Sequence, residues 1–157
     1  MTQTQMTTPH PDTARIPALL PHQGRLCLLD RVLDWDETRI RCAADNHRAP
    51  DHPLRWQGQL GSLIGIEYAA QAMALHGALR APADQPIRQG MITRVQHIQA
   101  HIDRLDTLPG ALDILATRLM GDDHVVRYGF ILSHDGHTLL SGEASVLLSA
   151  SPSPTSH

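Results

Sequence analysis

Glu67 is a carboxylate inside an apolar run, and Gln71 follows one helical turn later on the same face. An acid set among Leu, Ile and Ala loses solvation. That loss can raise its pKa and suit it to give or hold a proton near neutral pH. A carboxylate near the start of a helix is also favoured by the helix dipole, so the position by itself admits either role. Upstream, the stretch Asn46-His47-Arg48-Ala49-Pro50-Asp51-His52-Pro53 carries two imidazoles, His47 and His52. Histidine is the side chain whose ordinary pKa makes it a base near neutrality. An acid on a helix and an imidazole on the preceding loop are the parts of a general acid–base site. Between them, Gly61 and Ser62 open the helix, where unpaired N–H groups and the dipole can hold a developing oxyanion.

The element that must position Glu67 is the stretch 61–81, with apolar residues at Leu63, Ile64, Ile66, Ala69, Ala70, Met73, Ala74, Ala78 and Leu79. The recurrence is helical and runs almost all the way round, as in a helix buried on most sides. Eighteen such residues reach about 27 Å. Glu67, Gln71 and His76 interrupt it too often for a membrane span, and Pro82 ends it. Two strands are expected before it, 26–35 and 39–44, joined by the polar turn Asp36-Glu37-Thr38. The loop 46–59, rich in Pro, Gly and charge, is long enough to carry function. After the helix the pattern is strand throughout: 90–102, 112–120, 124–133 and 138–148. Gly121-Asp122-Asp123 and Asp135-Gly136 are hairpin signals. This order gives an α+β architecture rather than a parallel α/β one.

With 157 residues and 41% apolar content the chain fits a single domain, here 15–149. The polar ends, 1–14 and 150–157, are expected to be disordered. A net charge of -3 provides no basic patch, which argues against nucleic acid. Eleven histidines are scattered without zinc spacing, so no metal is expected. Cys27 and Cys42 read as buried, reduced thiols. The polar N-terminus lacks the apolar run of a signal peptide, so a cytoplasmic protein follows as the expectation.

Leu20-Pro21-His22 followed by Leu28-Leu29-Asp30-Arg31-Val32 resembles the LPH…LLxDRV opening of the hotdog-fold 3-hydroxyacyl-ACP dehydratases, and Glu67-Tyr68-Ala69-Ala70-Gln71-Ala72 resembles their E-x-x-A-Q-A helix motif. His47-Arg48, the stretch from Asp51 to Arg55 and the run from Gly65 to Gly77 resemble the ApeP-like branch, associated with aryl-polyene and xanthomonadin-type pathways. The resemblance implies a hotdog fold, an antiparallel sheet wrapped around one long central helix. It also implies a homodimer or a heterodimer with another hotdog subunit, the histidine loop of one subunit facing the helix glutamate of the other. The edge strand 90–102 is a plausible place for that pairing. The implied reaction is dehydration of a (3R)-hydroxyacyl thioester, carried on the phosphopantetheine arm of an acyl carrier protein, to the trans-2-enoyl thioester. No cofactor is required.

In that reaction a histidine takes the proton alpha to the thioester carbonyl. Glu67 assists departure of the beta hydroxyl, Gly61 and Ser62 hold the carbonyl oxygen, and Gln71 holds Glu67 or a water. Arg48, Arg55, Arg88 and Arg94 are candidates for the phosphate or the acidic carrier. The chain departs from the central family pattern by lacking the GHFPGxPxxPG loop. Counting back from Glu67, His52 falls within one residue of the family's catalytic histidine, and His47 lies five positions earlier. His47 starts from the end of the second strand, a well-placed edge; the sequence leaves both open, while His22 belongs to a structural segment. A thioesterase, with Glu67 activating water, and a non-catalytic partner subunit are the competing readings.

Overall fold

The computed structural model describes Ile16, residues 27–85 and residues 88–149. The ends read as disordered, 1–14 and 150–157, and the Leu20-Pro21-His22 segment lie outside the described residues. Within them the order is β1 (Arg31–Trp35), β2 (Arg39–Ala44), a 3-10 turn (Ser62–Ile64), α1 (Gly65–Arg80), β3 (Gly90–Ala100), β4 (Leu112–Gly121), β5 (Val125–His134) and β6 (His137–Leu148). The strands form one sheet in the order β1-β2-β4-β5-β6-β3, with every neighbouring pair antiparallel. One sheet backed by one long helix is the hotdog architecture that the sequence motifs imply.

The pleat explains which residues enter the core. On β4, Leu112, Ile114 and Ala116 alternate inward; on β5, Val126, Tyr128, Phe130 and Leu132 do the same. They close on Tyr68, Ala69, Ala72 and Leu75 of α1. The alanines bring helix and sheet together, and Gly65 brings them closest. A Cβ there would stand 2.8 Å from methyls of both Leu132 and Leu140, so any larger residue would force both leucines to shift.

Three expectations needed adjustment. The first strand was expected from residue 26, but ladder pairing begins only at Arg31, with the Asp30 N–H donating to the Ala43 carbonyl just before it. The hairpin after β4 is centred one residue late: Asp122 N–H donates to the Val125 carbonyl, and the Asp122 carboxylate accepts the His124 and Val125 N–H groups. Of the two thiols only Cys42 is buried, where desolvation pushes it up to about 12; Cys27 is half-buried.

Two features of the sheet bear on function. β3 sits on the outer edge, bonded only to β6, and most of its residues are exposed. The chain must then return to β4 in the middle of the sheet, and residues 101–111 do so across the start of the helix. Ser62 N–H donates to Asp103 O (2.9 Å) and Leu105 N–H to Leu60 O (2.8 Å).

His76, fully buried on α1, fastens the helix to the β1–β2 turn and to β5. Its Nε2 lies 2.7 Å from the Asp36 carbonyl, which can only accept, so Nε2 carries the proton and Nδ1 accepts from the Tyr128 hydroxyl, also at 2.7 Å. Burial holds this imidazole below its usual pKa, partly opposed by the Asp36 carbonyl. The unfolded ring takes up a proton near pH 6.5 and the folded ring does so only at lower pH. Stability is therefore level above pH 7 and falls as the pH drops through 6.5, by at most about 1.4 kcal/mol per unit per site. Thermal melts between pH 7.5 and 5.5 should show this slope, shallower in His76→Gln; an unchanged slope excludes the histidine as its source.

Candidate functional site

The loop between β2 and the helix is held rigid by its own arginine. Gln57 (φ 50°) and Gly58 (φ 75°) are both left-handed, the pattern of a two-residue hairpin turn. Trp56 and Gln59 exchange N–H···O bonds of 2.9 and 3.0 Å around it. Arg55 donates from Nε to Ala49 O (2.7 Å), from one terminal nitrogen to Gly58 O (2.6 Å) and from the other to Arg48 O (3.0 Å). It also stands 3.5 Å from the Asp106 carboxylate, which is almost enclosed. Asp106 in turn accepts from Leu60 N–H and from the Arg104 guanidinium. Those donors, Arg104 foremost, hold its carboxyl far below the usual range. Arg55 was a candidate for a substrate phosphate; its donors are instead consumed by the loop it belongs to.

The two loop histidines occupy different environments. His52 accepts the Leu54 N–H at Nδ1 (3.1 Å), which leaves its proton on Nε2, 3.0 Å from the Tyr68 hydroxyl. Tyr68 donates onward to Asn46 Oδ1 (2.6 Å), and Asn46 Nδ2 donates to Leu28 O. Both nitrogens of His52 therefore serve a chain of bonds that docks the loop on the helix. His47 is fully enclosed, and its Nε2 lies 2.9 Å from Leu108 O. A carbonyl only accepts, so Nε2 holds the proton and the Nδ1 lone pair is bare; among the described residues no hydrogen-bond partner reaches it. Desolvation lowers the pKa of this ring and keeps it neutral.

Glu67 lies in the first turn of α1, half-buried. The helix is less enclosed than its composition implies: Glu67, Ala70, Ala74 and Gly77 form a stripe at helical spacing that faces a groove of about 530 Å³. Met73 and Arg80 flank the stripe. Ile92 of β3, Val126 and Tyr128 of β5, and Val146 and Leu148 of β6 form the opposite wall. The groove follows α1 from Glu67 to Arg80. Thirteen residues at 1.5 Å make that about 20 Å. Neither His47 nor His52 lines it.

The other expected site residues are placed as follows. Gln71 is buried and its Oε1 accepts the Leu28 N–H (2.8 Å), so it anchors the strand leading into β1. The Ser62 N–H, expected to be available at the helix start, donates to Asp103 O. Gly61 forms a bridge with Arg104, and a side chain there would meet nothing within 4 Å. The α-helix proper starts only at Gly65, so the 3-10 turn of Ser62–Ile64 takes the place of the expected first α-turn.

The sequence profile of the ApeP-like family, described as ApeP dehydratase, matches residues 14–155. The chain belongs to the ApeP-like family. No curated protein sequence matches it. Among solved structures, a chain of the dehydratase heterocomplex ApeI:P from Xenorhabdus doucetiae superposes with a TM-score of 0.75 at 22% identity, over 90% of this chain and 93% of that one. A thioesterase from Haemophilus influenzae gives 0.64 at 9% identity over 92% and 94%, and a mutant thioesterase from Pseudomonas aeruginosa 0.62 at 14% over 88% and 94%. These likenesses establish the hotdog fold. With the family, they make the chain a hotdog protein of the ApeP-like dehydratase family. Among the described residues no helix is long and apolar enough to cross a membrane.

Within this ApeP-like chain the residues read from sequence fall into two groups. Glu67 faces the groove. His47, His52, Ser62 and Gln71 lie around the docked loop and the helix start, engaged mainly with backbone. The sequence reading missed Arg118 on the groove wall. Its signal was available: Leu112, Ile114 and Ala116 face inward, and the same alternation places Arg118 inward too.

Proposed function

We propose that this protein dehydrates a (3R)-hydroxyacyl thioester, carried by an acyl carrier protein, to the trans-2-enoyl thioester. The observation that carries this reading is a half-buried carboxylate, Glu67, at the head of a long groove with apolar residues on both walls. The groove suits an acyl chain, and the carboxylate at its head suits the departing hydroxyl.

Elimination needs a base for the alpha proton and an acid for the oxygen. In the base role we place His47: the Leu108 carbonyl fixes its tautomer, and its bare Nδ1 is the imidazole lone pair that no described residue uses. His52 is placed as the residue that docks the loop, because its Nδ1 is already bonded to the Leu54 amide. His47 takes the alpha proton as the electron pair moves into the new double bond. The beta C–O bond breaks, and Glu67 supplies the proton that leaves with the hydroxyl as water. Because His47 does not line the groove of its own chain and its Nδ1 is enclosed there, the reaction needs a second hotdog subunit to complete the site, with β3 as the pairing edge, and an opening of the loop to present the imidazole. The same observation supports a second reading, in which the chain is a partner subunit that contributes the groove and an active subunit contributes the imidazole. The relative described as a heterocomplex is in keeping with a second, different chain.

The test is turnover of 3-hydroxydecanoyl carrier protein, with loss of one water read by mass spectrometry. His47→Asn should lower the rate by about 10²–10⁴-fold. His52→Asn should act mainly on stability, costing about 1–3 kcal/mol for the buried partners it leaves. Full loss in His52→Asn with a normal melt would transfer the base role to His52. Activity only when a second hotdog subunit is added would favour the partner reading. Release of free acid in place of enoyl product would mark a thioesterase.

A further inference from the structure

Arg118 stands in the inward register of β4, after Leu112, Ile114 and Ala116, and lines the groove. An inward arginine normally has a carboxylate partner, because an unpaired charge taken out of water is costly. Here the Nε is completely shielded and has no hydrogen-bond partner, and among the described residues no carboxylate lies within 4 Å of the guanidinium. Asp122 and Asp123 line the same groove, but neither closes on it as a salt-bridge partner. Across the ladder Arg118 faces Tyr128, whose hydroxyl is committed to His76. Arg80, from the last turn of α1, adds a second positive charge to the same end of the groove, only partly offset by the exposed Glu37 at 3.3 Å. Asp122 also lines that end, but one of its carboxylate oxygens holds the amides of the following turn.

We propose that Arg118, with Arg80 beside it, forms an anion-binding subsite at the far end of the groove from Glu67, reading an anionic group at a fixed distance from the reacting carbon. The inference rests on the acyl-thioester reading of the groove. His76, which bonds the residue opposite Arg118, is nine positions from Glu67, and Arg80 is thirteen. The two arginines therefore lie about 14–20 Å along the helix from the carboxylate. At roughly 3.5 Å per three bonds of extended chain, that is about 12–17 bonds. Two sources fit this span: a carboxylate or phenolate at the tail of the acyl chain, or the phosphate of the carrier's arm.

The experiment measures binding, by displacement of a fluorescent fatty acid, so that it does not depend on catalysis. The probes are methyl tetradecanoate, monomethyl tetradecanedioate, phosphopantetheine and pantetheine, each with wild type, Arg118→Gln and Glu67→Gln. Wild type should prefer the anionic member of one pair by about tenfold or more: the monoester with a free tail carboxylate over the plain ester if the anion is on the acyl tail, phosphopantetheine over pantetheine if it is on the arm. Arg118→Gln should abolish that preference while binding the uncharged-tail probes as wild type does, and Arg118→Lys should restore part of it. Glu67→Gln should retain the preference, which separates this subsite from the chemistry. Equal binding within both pairs by wild type, or a preference surviving in Arg118→Gln, overturns the proposal. Preference kept by a protein that does not dehydrate would leave the subsite standing and remove the proposed reaction.

Discussion

Glu67→Gln is expected to lower dehydration by about 10²–10⁴-fold, equivalent to roughly 3–5 kcal/mol of transition-state stabilisation. The amide keeps the volume and hydrogen-bonding reach of the carboxylate but has no proton to give. Because the side chain is half-buried on a groove wall and not in the packed core, the melting temperature should stay within a few degrees of wild type. The fall should appear in kcat, with KM nearly unchanged, since acyl-chain contacts with Met73, Ile92 and Val146 are untouched. A variant retaining a third or more of wild-type turnover would remove Glu67 from the chemistry and leave the partner-subunit reading. An inactive variant with a collapsed melt would need Glu67→Asp to separate fold from function.

Arg55→Ala is expected to release the whole loop between β2 and the helix. One guanidinium closes three backbone carbonyls, of Arg48, Ala49 and Gly58, and pairs with a nearly enclosed Asp106. Asp106 keeps Arg104 and the Leu60 amide, so the cost comes mainly from three carbonyls that lose their donor, at about 1–1.5 kcal/mol each or about 3–5 kcal/mol together. For a domain of this size that is roughly 6–20 °C in melting temperature. Trp56, three-quarters exposed on the hairpin that Arg55 supports, gives a direct readout: its fluorescence anisotropy should fall as the turn loosens. Arg55→Lys should recover little, since a point charge cannot reach three carbonyls and a carboxylate at once. A variant with wild-type melt and anisotropy would mean that the loop is held by the His52–Tyr68–Asn46 chain alone.

The two halves of the site differed in how readable they were. Glu67 could be found because a charge inside an apolar helical run is a local anomaly, visible without knowledge of what packs against it. The strands could be found because alternation has a period of two wherever one face is buried. Arg118 belongs to the same class: it breaks an inward row, and the break is visible in β4 by itself. The roles of His47 and His52 were not readable. They lie five positions apart in one irregular loop, and which nitrogen is bare depends on Leu54, Tyr68 and Leu108, the last of these sixty-one residues from His47. Arg55 shows the same limit. Its sequence neighbourhood fits an exposed phosphate ligand, and only the folded loop turns three carbonyls toward it.

By itself the sequence determined the α+β order of elements, the identity of the central helix and the presence of an acid upon it. Those follow from periodicity and composition, which are local and survive any packing arrangement. Tertiary structure alone decided that Glu67 heads a groove about 20 Å long. It also decided that Gln71 and Ser62 are engaged by Leu28 and Asp103, and that the loop histidines sit away from the groove of their own chain. The reason is physical: a hydrogen bond is directional and short, so its partner is set by where distant segments come to rest. Burial needs only the average pattern along a strand or helix.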